Sequence, residues 1–184
     1  MPPPRSDRQQ SARSAAAVAA TCAEFGLTAA EFAELHRRSV AAKAAAYCPY
    51  SQFRVGAALL SADADADAPV YFAGANVENA SYPVGTCAER VALGTAVTQG
   101  HRRFRAVAVA TDIAPPASPC GMCRQLWRSN RVAPVPPESI REFSEPSIPI
   151  IMFDKDDDYT VFRLEELLPL SFGPDALPPP RPRQ

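Results

Sequence analysis

The spacing of apolar positions changes several times along the chain, and the first regular stretch predicts a helix. From Thr28 to about Tyr47 apolar and small residues recur at helical spacing, and Pro49 ends the pattern because a residue before proline avoids helical geometry. Thr28 and Glu31 have the spacing of a capping box, which places the start of this helix at Thr28. The helix is expected to pack closely through a face made of Phe32, Leu35, Ser39, Ala42 and Ala46.

Five apolar, β-branched stretches predict the strands of a sheet, at 53–61, 70–77, 104–111, 148–153 and 159–163. The polar Ala-Asp repeat at 62–68 indicates a hairpin between the first two strands. The link at 154–158 is too short for a parallel crossover, so the last two strands are antiparallel. Further helices are predicted from Cys87 to Thr98, from Cys120 onward and over 164–168. The predicted fold class is therefore α/β, with a mixed five-stranded sheet between helices in a three-layer α/β/α arrangement.

The composition is that of one globular domain with few charges to attract a polyanion. The 184 residues are 47% hydrophobic and carry a net charge of -1, so no basic surface for nucleic acid is expected. No apolar run reaches transmembrane length. The five cysteines are an odd number in a chain that needs no disulfides, which favours a reducing, intracellular setting. Cys22 and Cys48 are expected to be plain thiols.

Both ends of the chain are predicted to be disordered. Residues 1–20 are rich in Pro, Ser, Ala and Arg, with Asp7 as their one acid, and residues 178–184 are rich in Pro and Arg. The folded domain is expected at 27–177. An acid-poor, Arg- and Ser-rich leader also fits a mitochondrial presequence, so a cytoplasmic location is expected with the mitochondrion as the alternative.

Three cysteines and one glutamate carry the chemistry of the sequence, in Cys87-Ala-Glu89 and in Pro119-Cys120-x-x-Cys123. Three thiolates with one open position is the composition of a catalytic zinc site, because a structural site closes with a fourth protein ligand. Such a metal lowers the pKa of a bound water, and a carboxylate beside it can move protons.

A redox pair or a structural zinc corner would account for Cys120 and Cys123 alone. Neither explains the upstream Cys87-Ala-Glu89, and His36 and His101 have no partner at ligand spacing. Three thiolates on one Zn²⁺ leave a net negative charge, so Arg90 is predicted to contact the ligand sulfurs and to offset that charge without binding the metal.

The wider sequence resembles the small, homotetrameric, zinc-dependent cytidine deaminases. The Cys-Ala-Glu and Pro-Cys-x-x-Cys signature carries the likeness, together with segments 48–51, 53–57, 76–90 and 171–174. The likeness extends from about Leu27 to Leu177 and is broken at 126–139, where relatives run from Cys-Arg-Gln straight into a piece like 140–143. This segment is interpreted either as a surface insertion or as a translated intron. Its prolines would threaten the helix that carries two of the ligands.

The resemblance implies hydrolytic deamination of cytidine and 2′-deoxycytidine to uridine and 2′-deoxyuridine, with release of ammonia, in pyrimidine salvage. It implies one Zn²⁺ per subunit on Cys87, Cys120 and Cys123, and Glu89 as the proton shuttle. A homotetramer follows from it, with sites completed by neighbouring subunits through Tyr82 and Phe172, and neither nucleic acid nor membrane as partner. The residues it assigns to the nucleoside are Phe53, Asn76, Glu78, Ala80, Tyr82, Ala88 and Phe172.

Two other functions remain open from the residues alone. A deaminase of nucleotides or RNA would need basic phosphate-binding residues near the pocket, whereas the carboxylate of Glu78 repels phosphate. An inactive zinc-binding protein that only interacts with partners would result if segment 126–139 spoils the site.

Overall fold

A computed structural model describes residues 8–63, 68–127 and 144–171, and at its centre is a six-stranded mixed sheet of order β1-β6-β5-β4-β2-β3. The strands are Gln10–Ser11 (β1), Val55–Ser61 (β2), Tyr71–Ala75 (β3), Phe104–Thr111 (β4), Pro149–Phe153 (β5) and Asp158–Arg163 (β6). The helices are Ala15–Phe25 (α1), Ala29–Ala42 (α2), Ala88–Thr98 (α3), Gly121–Trp127 (α4) and Leu164–Leu167 (α5).

The sheet has the predicted mixed pairing. Strands β2 and β3 form an antiparallel hairpin, and so do β5 and β6, as the short links between them predict. Strands β4 and β5 are parallel, with Val107 opposite Ile150. The fold class is confirmed as α/β with helices on both faces of the sheet, but there are six strands rather than five because β1 adds a short strand at the β6 edge.

The expected disorder of residues 1–20 is wrong for residues 8–20, which belong to the N-terminal arm (residues 8–25). Gln10 pairs with Tyr159 of β6, and Ser14 caps α1 with its side chain. The Tyr159 hydroxyl lies 2.9 Å from the hydroxyl of Thr21 and donates to Gln10 Oε1 at 2.7 Å. The arm is thus ordered by partners about 140 residues away in the chain, which local composition does not reveal. Residues 1–7, the tail 178–184 and Phe172 lie outside the described residues.

Helices α1 and α2 cover one face of the sheet. The capping box at the start of α2 is present, with Thr28 Oγ1 accepting from Glu31 N and Glu31 Oε2 accepting from Thr28 N. Ser39 is fully buried, and a Cβ atom at Gly56 of β2 would overlap the carbonyl oxygen of Ser39. The small-residue face predicted for α2 therefore brings its backbone directly onto the sheet.

Helices α3, α4 and α5 cover the other face, where Cys87, Glu89 and Cys123 lie. A Cβ atom at Gly74 of β3 would meet Ala88 O at 2.6 Å and would overlap Ala92 N, so α3 rests on β3 at backbone distance. Trp127 is 1% exposed and meets Phe104 edge to face. The first two residues of segment 126–139 are therefore part of α4, and the remaining ones lie outside the described residues.

Among the described residues, no single helix is long and apolar enough to cross a membrane. Only α1 and α2 taken together reach that length and apolarity, and they are bent by 103° at their junction.

Candidate active site

Two helix starts bring three sulfur atoms together on the α3–α4 face of the sheet. Cys87 is the N-cap residue of α3, while Cys120 directly precedes α4 and Cys123 lies within it. Cys87 Sγ lies 3.7 Å from Cys120 Sγ, which lies 3.5 Å from Cys123 Sγ. All three sulfurs lie within 4.8 Å of one another, and all five cysteines of the chain are free thiols.

The sulfur cluster has the dimensions of a zinc site. Sulfurs bound tetrahedrally at about 2.3 Å from Zn²⁺ lie roughly 3.8 Å from each other, close to the spacings found between these thiols. In the described part of the chain this is the single group of three or more Cys, His, Asp or Glu side chains that meets ligand spacing. The donor set therefore fits one Zn²⁺ with a coordination position left for water or substrate.

The surroundings of the cluster favour the thiolate form of Cys87. Hydrogen bonding by the Cys123 thiol lowers the pKa of Cys87 to about 5, with further contributions from Cys120 and the charge of Arg90. The same interaction with Cys87 raises the pKa of Cys123, so one proton of the metal-free pair stays on Cys123.

Arg90 lies in the first turn of α3, three residues after Cys87, and its charge acts on all three cysteines of the cluster. Its Nη2 donates to Gly85 O at 2.8 Å, and its Nε is buried without a hydrogen-bond partner among the described residues. This places a guanidinium charge near Cys87, and the contact of Arg90 with the ligand sulfurs stays a prediction.

Glu89 is enclosed in the same layer. It is 3% exposed, in the first turn of α3, two residues after Cys87. Burial raises the pKa of its carboxyl group, and the nearby Cys87 thiolate acts in the same direction. A carboxyl group with a raised pKa exchanges protons closer to neutral pH than an exposed one, as a general acid and base requires.

A surface cavity of about 340 Å³ opens beside α3, lined by Tyr50, Ser51, Glu78, Asn79, Tyr82 and Gly85. Glu78 Oε2 accepts from the backbone N–H groups of Tyr50 at 3.0 Å and Ser51 at 3.2 Å. Hydrogen bonds from Ser51 and Tyr50 lower the pKa of Glu78, so the wall of the cavity holds a carboxylate. Gly85 connects the cavity to the sulfur cluster, because it accepts the hydrogen bond of Arg90.

Of the residues assigned to the nucleoside, Glu78 and Tyr82 line this cavity, whereas Phe53, Asn76, Ala80 and Ala88 are not in its wall. Asn76 holds the neighbouring backbone, since its Oδ1 accepts from Val55 N and its Nδ2 donates to Phe53 O, both at 2.8 Å. Asn76 and Glu78 therefore both bind the backbone of segment 50–55.

The other assigned residues differ in exposure. Phe53 is half-buried, Ala80 is exposed, and Ala88 is fully buried as the first residue of α3. Its position puts the N–H end of α3 beside Cys87.

The mouth of the cavity is surrounded by exposed apolar side chains. Tyr82 is 74% exposed, and its ring centroid lies 6.0 Å from that of Tyr50. The other large apolar residues exposed here are Tyr47, Val77 and Val84. We call these five residues the mouth patch. Clustered exposed apolar side chains are a feature of interaction surfaces.

The sequence-based assignment omitted Tyr50, Ser51, Asn79 and Gly85 from the cavity. The signal was available, because Cys48-Pro-Tyr-Ser51 and segment 76–90 both carry the family likeness. What the sequence does not show is that Glu78 folds back onto the amides of Tyr50 and Ser51 and so brings the two segments together.

Comparison with known proteins agrees with this geometry. A family profile described as the cytidine and deoxycytidylate deaminase zinc-binding region matches residues 31–136, more than half of the chain. A cytidine deaminase of Sporosarcina psychrophila is 38% identical over 144 residues, which cover 78% of this chain and 93% of that protein. One of Halalkalibacterium halodurans is 47% identical over 92 residues, covering 50% of this chain and 66% of the relative.

Solved structures give the same result. The crystal structure of a cytidine deaminase from Burkholderia pseudomallei superposes with a TM-score of 0.64 at 37% identity, covering 76% of this chain and 98% of that one. A cytidine deaminase from Mycobacterium tuberculosis superposes with a TM-score of 0.59 at 31% identity, covering 78% of this chain and 98% of that one.

Proposed function

This chain belongs to the cytidine deaminase family, and from that premise we propose how its residues act in the reaction and which substrates and partners they fit. The enzyme hydrolyses the amino group of cytidine, giving uridine and ammonia, with one zinc ion per subunit. The assignment of the metal centre rests on one observation: the sulfurs of Cys87, Cys120 and Cys123 lie within 4.8 Å of one another.

A Zn²⁺ ion held by these three thiolates supplies a Lewis acid that lowers the pKa of water. Glu89 moves the protons. Its carboxylate accepts one from the attacking water and donates it to N3 of the pyrimidine. It then accepts a second proton from the new hydroxyl group on C4 and donates it to the amine that leaves as ammonia. Atoms balance, since cytidine and one water give uridine and one ammonia. Burial of Glu89 supports this proposal because it raises the pKa of the carboxyl group and keeps bulk water from competing for the protons.

We assign the sugar of the nucleoside to the cavity beside α3. Its charged wall residue, Glu78, is a hydrogen-bond acceptor for sugar hydroxyls, and no Lys or Arg is among its lining residues in the described part of the chain. A phosphate would meet the carboxylate of Glu78 without a cation to offset it. The substrate is therefore a free nucleoside, with 2′-deoxycytidine accepted beside cytidine.

The remaining assignments follow the same surfaces. Asn76 and Phe53 are proposed to support the cavity from behind, because Asn76 binds the backbone of Phe53 and of its neighbour Val55. Ala80 and Tyr82 are assigned to the rim of the cavity. Ala88 is assigned to the base, to which it offers its backbone N–H. Arg90 offsets the charge of the three thiolates. Phe172 is proposed as a residue that reaches a neighbouring subunit.

A deamination assay on cytidine, 2′-deoxycytidine and CMP tests the substrate proposal. Both nucleosides should lose their amino group at comparable rates, and CMP should be at least about 100-fold slower, a loss of about 2.7 kcal/mol in transition-state stabilisation. The variant Glu78→Gln should narrow the gap between CMP and cytidine. Rates on CMP that match those on cytidine would refute the placement of Glu78 at the sugar.

We further propose a homotetramer in which the mouth patch is buried between subunits. The support is the exposure of its members, from 45% for Val77 to 74% for Tyr82, around a cavity that a second copy can close. The molar mass in solution, measured by light scattering, should be four times that of one chain, which is 19.7 kDa. A monomer with full activity would contradict this assembly.

The cellular compartment of the enzyme and its metabolic role are also proposals. Five free cysteines, three of them in a metal cluster, favour a reducing compartment, and we place the enzyme in the cytoplasm. Conversion of cytidine and 2′-deoxycytidine to uracil nucleosides fits pyrimidine salvage.

A further inference from the structure

We propose that Arg124 is a positioning residue of the metal centre, whose guanidinium fixes the loop before Cys120 and thereby fixes the spacing of the zinc ligands. The inference rests on the zinc site of the proposed function, but not on the identity of the nucleoside. Arg124 follows Cys123 directly in α4, so one side chain and one ligand share the same turn of helix.

Each of the three guanidinium nitrogens of Arg124 donates a hydrogen bond. Nε donates to Pro119 O at 2.7 Å, Nη2 donates to Ser118 Oγ at 2.8 Å, and Nη1 donates to Leu167 O at 2.9 Å. Pro119 and Ser118 immediately precede the ligand Cys120, while Leu167 ends helix α5. The side chain therefore joins the ligand loop, the ligand helix α4 and the end of α5.

The loop depends on these bonds because it makes few of its own. Pro115, Pro116 and Pro119 have no backbone N–H. Within the described ranges, residues 114–119 take part in no backbone–backbone hydrogen bond, in contrast to Ile113 before them and Cys120 after them. Since Pro119 offers only its carbonyl group, the bond from Arg124 Nε is what fixes the peptide unit attached to Cys120.

The geometry calls for a guanidinium rather than any cation. A planar fork can serve three acceptors in different directions at once, whereas a lysine ammonium sits at a single point on a flexible stem. Leu167 O is a carbonyl of the last turn of α5, where no backbone partner continues the helix. Arg124 is distinct from Arg90, which lies on α3 and bonds Gly85 on the Cys87 side of the cluster.

The test measures zinc affinity by competition with a chromogenic chelator, together with the absorption spectrum of the cobalt-substituted protein. Arg124→Gln removes the fork, and Arg124→Lys keeps the charge without the fork. Both should bind zinc about 10–100-fold more weakly, as is typical when a group behind a metal ligand is lost. Both should also alter the cobalt bands, which report the geometry of the sulfurs.

Arg105→Gln is the matched control. Arg105 also bridges a carbonyl and a side chain, since it donates to Gly26 O at 2.7 Å and to Glu31, but it lies at the α1–α2 face, away from the cysteines. Its loss should lower the thermal stability of the metal-free protein and leave zinc affinity unchanged. Equal loss of zinc affinity in Arg105→Gln would mean a general effect of stability and would overturn the proposal.

Rescue gives a second, independent readout. The Arg124 side chain lines a cavity of about 250 Å³ between the 115–118 loop and β5–β6, so a small cation can reach the space left by Arg124→Ala. Methylguanidinium, at concentrations too low to unfold the protein, should restore zinc affinity to Arg124→Ala, whereas methylammonium should not. Wild-type zinc affinity in Arg124→Gln and Arg124→Lys would refute the role. Cytidine turnover by the wild-type enzyme is measured separately, so failure of the proposed function and failure of this inference give different results.

Discussion

The Sγ atoms of Cys87 and Cys120 lie 3.7 Å apart although 33 positions separate the two residues in sequence. Each stands directly before a helix on the same face of the sheet, so this spacing depends on how α3 and α4 are packed and not on either loop alone. The chemistry of the enzyme is therefore sensitive to substitutions that shift these helices as well as to changes in the ligands.

Loss of the Glu89 carboxylate should separate metal binding from turnover. Glu89→Gln keeps the size of the side chain and leaves the three sulfurs in place, so zinc content should remain at one per subunit. Cytidine turnover should fall by about 100- to 10,000-fold, the usual contribution of a positioned acid or base. Glu165→Gln, an exposed glutamate on α5, should retain wild-type rates. Substantial turnover in Glu89→Gln would exclude the shuttle role.

Loss of one sulfur should remove the metal. Cys120→Ser leaves two thiolates, and we expect zinc affinity to fall by more than about 100-fold, beyond the effect typical of groups behind the ligands. Metal analysis after dialysis against a chelator measures this. Cys22→Ala provides the comparison, because Cys22 is a buried thiol of the opposite layer that is 6% exposed. Zinc retained by Cys120→Ser would rule out the three-sulfur site.

Glu89 should also make the metal-free protein less stable as the pH rises. Burial raises its pKa above the ordinary value of 4.5, so the folded chain holds this proton over a range where the unfolded chain has lost it. Stability then falls as the pH increases through the raised pKa. Metal-free Glu89→Gln should match the wild type near pH 4.5 and exceed it at neutral pH. Urea denaturation of both metal-free proteins over this pH range measures their difference in stability. A difference that does not change with pH would contradict the proposed cost of burying the ionised Glu89 carboxylate.

Two glycines near α3 should respond in opposite ways to alanine. At Gly74 the new Cβ meets Ala88 O at 2.6 Å, so Gly74→Ala must displace the start of α3 and should cost about 1–3 kcal/mol of stability. At Gly94, within α3, the Cβ meets nothing within 4 Å, and Gly94→Ala should add roughly 0.5–1 kcal/mol. Denaturant unfolding measures both. Cytidine turnover should fall in Gly74→Ala alone, because the displaced turn carries Glu89.

Subunits with different defects should complement each other if Tyr82 acts across an interface. In a mixed assembly of Glu89→Gln and Tyr82→Ala chains, some sites combine an intact Glu89 with the Tyr82 of a neighbour. Activity should then exceed the sum of the two parents. Glu89→Gln mixed with Cys87→Ser should show no gain. Each chain then carries a defect in its own metal centre, so no site in the mixed assembly is intact. Absence of a gain in the first mixture would mean that Tyr82 acts only in the cavity of its own subunit, which it lines.

Local signals in the sequence predicted most of the fold. The Thr28–Glu31 capping box, the short 154–158 link and the apolar run at 104–111 each specify an element through neighbouring residues, and the structure has all three. The N-terminal arm was missed because its Ala-, Ser- and Arg-rich composition resembles disorder. Its anchors are distant in sequence, such as the Arg13–Asp157 ion pair at 2.9 Å.

The candidate site also has parts that the sequence predicts and parts that it does not. Cysteine spacing was sufficient to predict which sulfurs meet, because the residue types in Cys87-Ala-Glu89 and the Cys120–Cys123 pair restrict the chemistry. The hydrogen bonds of Asn76 to the backbone of Phe53 and Val55 could not be predicted, since alternation along a strand gives the side a residue faces and not the partner it finds.

The N-terminal arm has a consequence for the edge of the sheet. The family match begins at residue 31, after the arm, yet β1 pairs with Tyr159 and Asp158 at the start of β6. A shortened protein designed from the family boundary would leave these backbone groups unpaired, and open strand edges recruit strands of other molecules. The N-terminal arm thus protects the start of β6 from pairing with strands of other molecules.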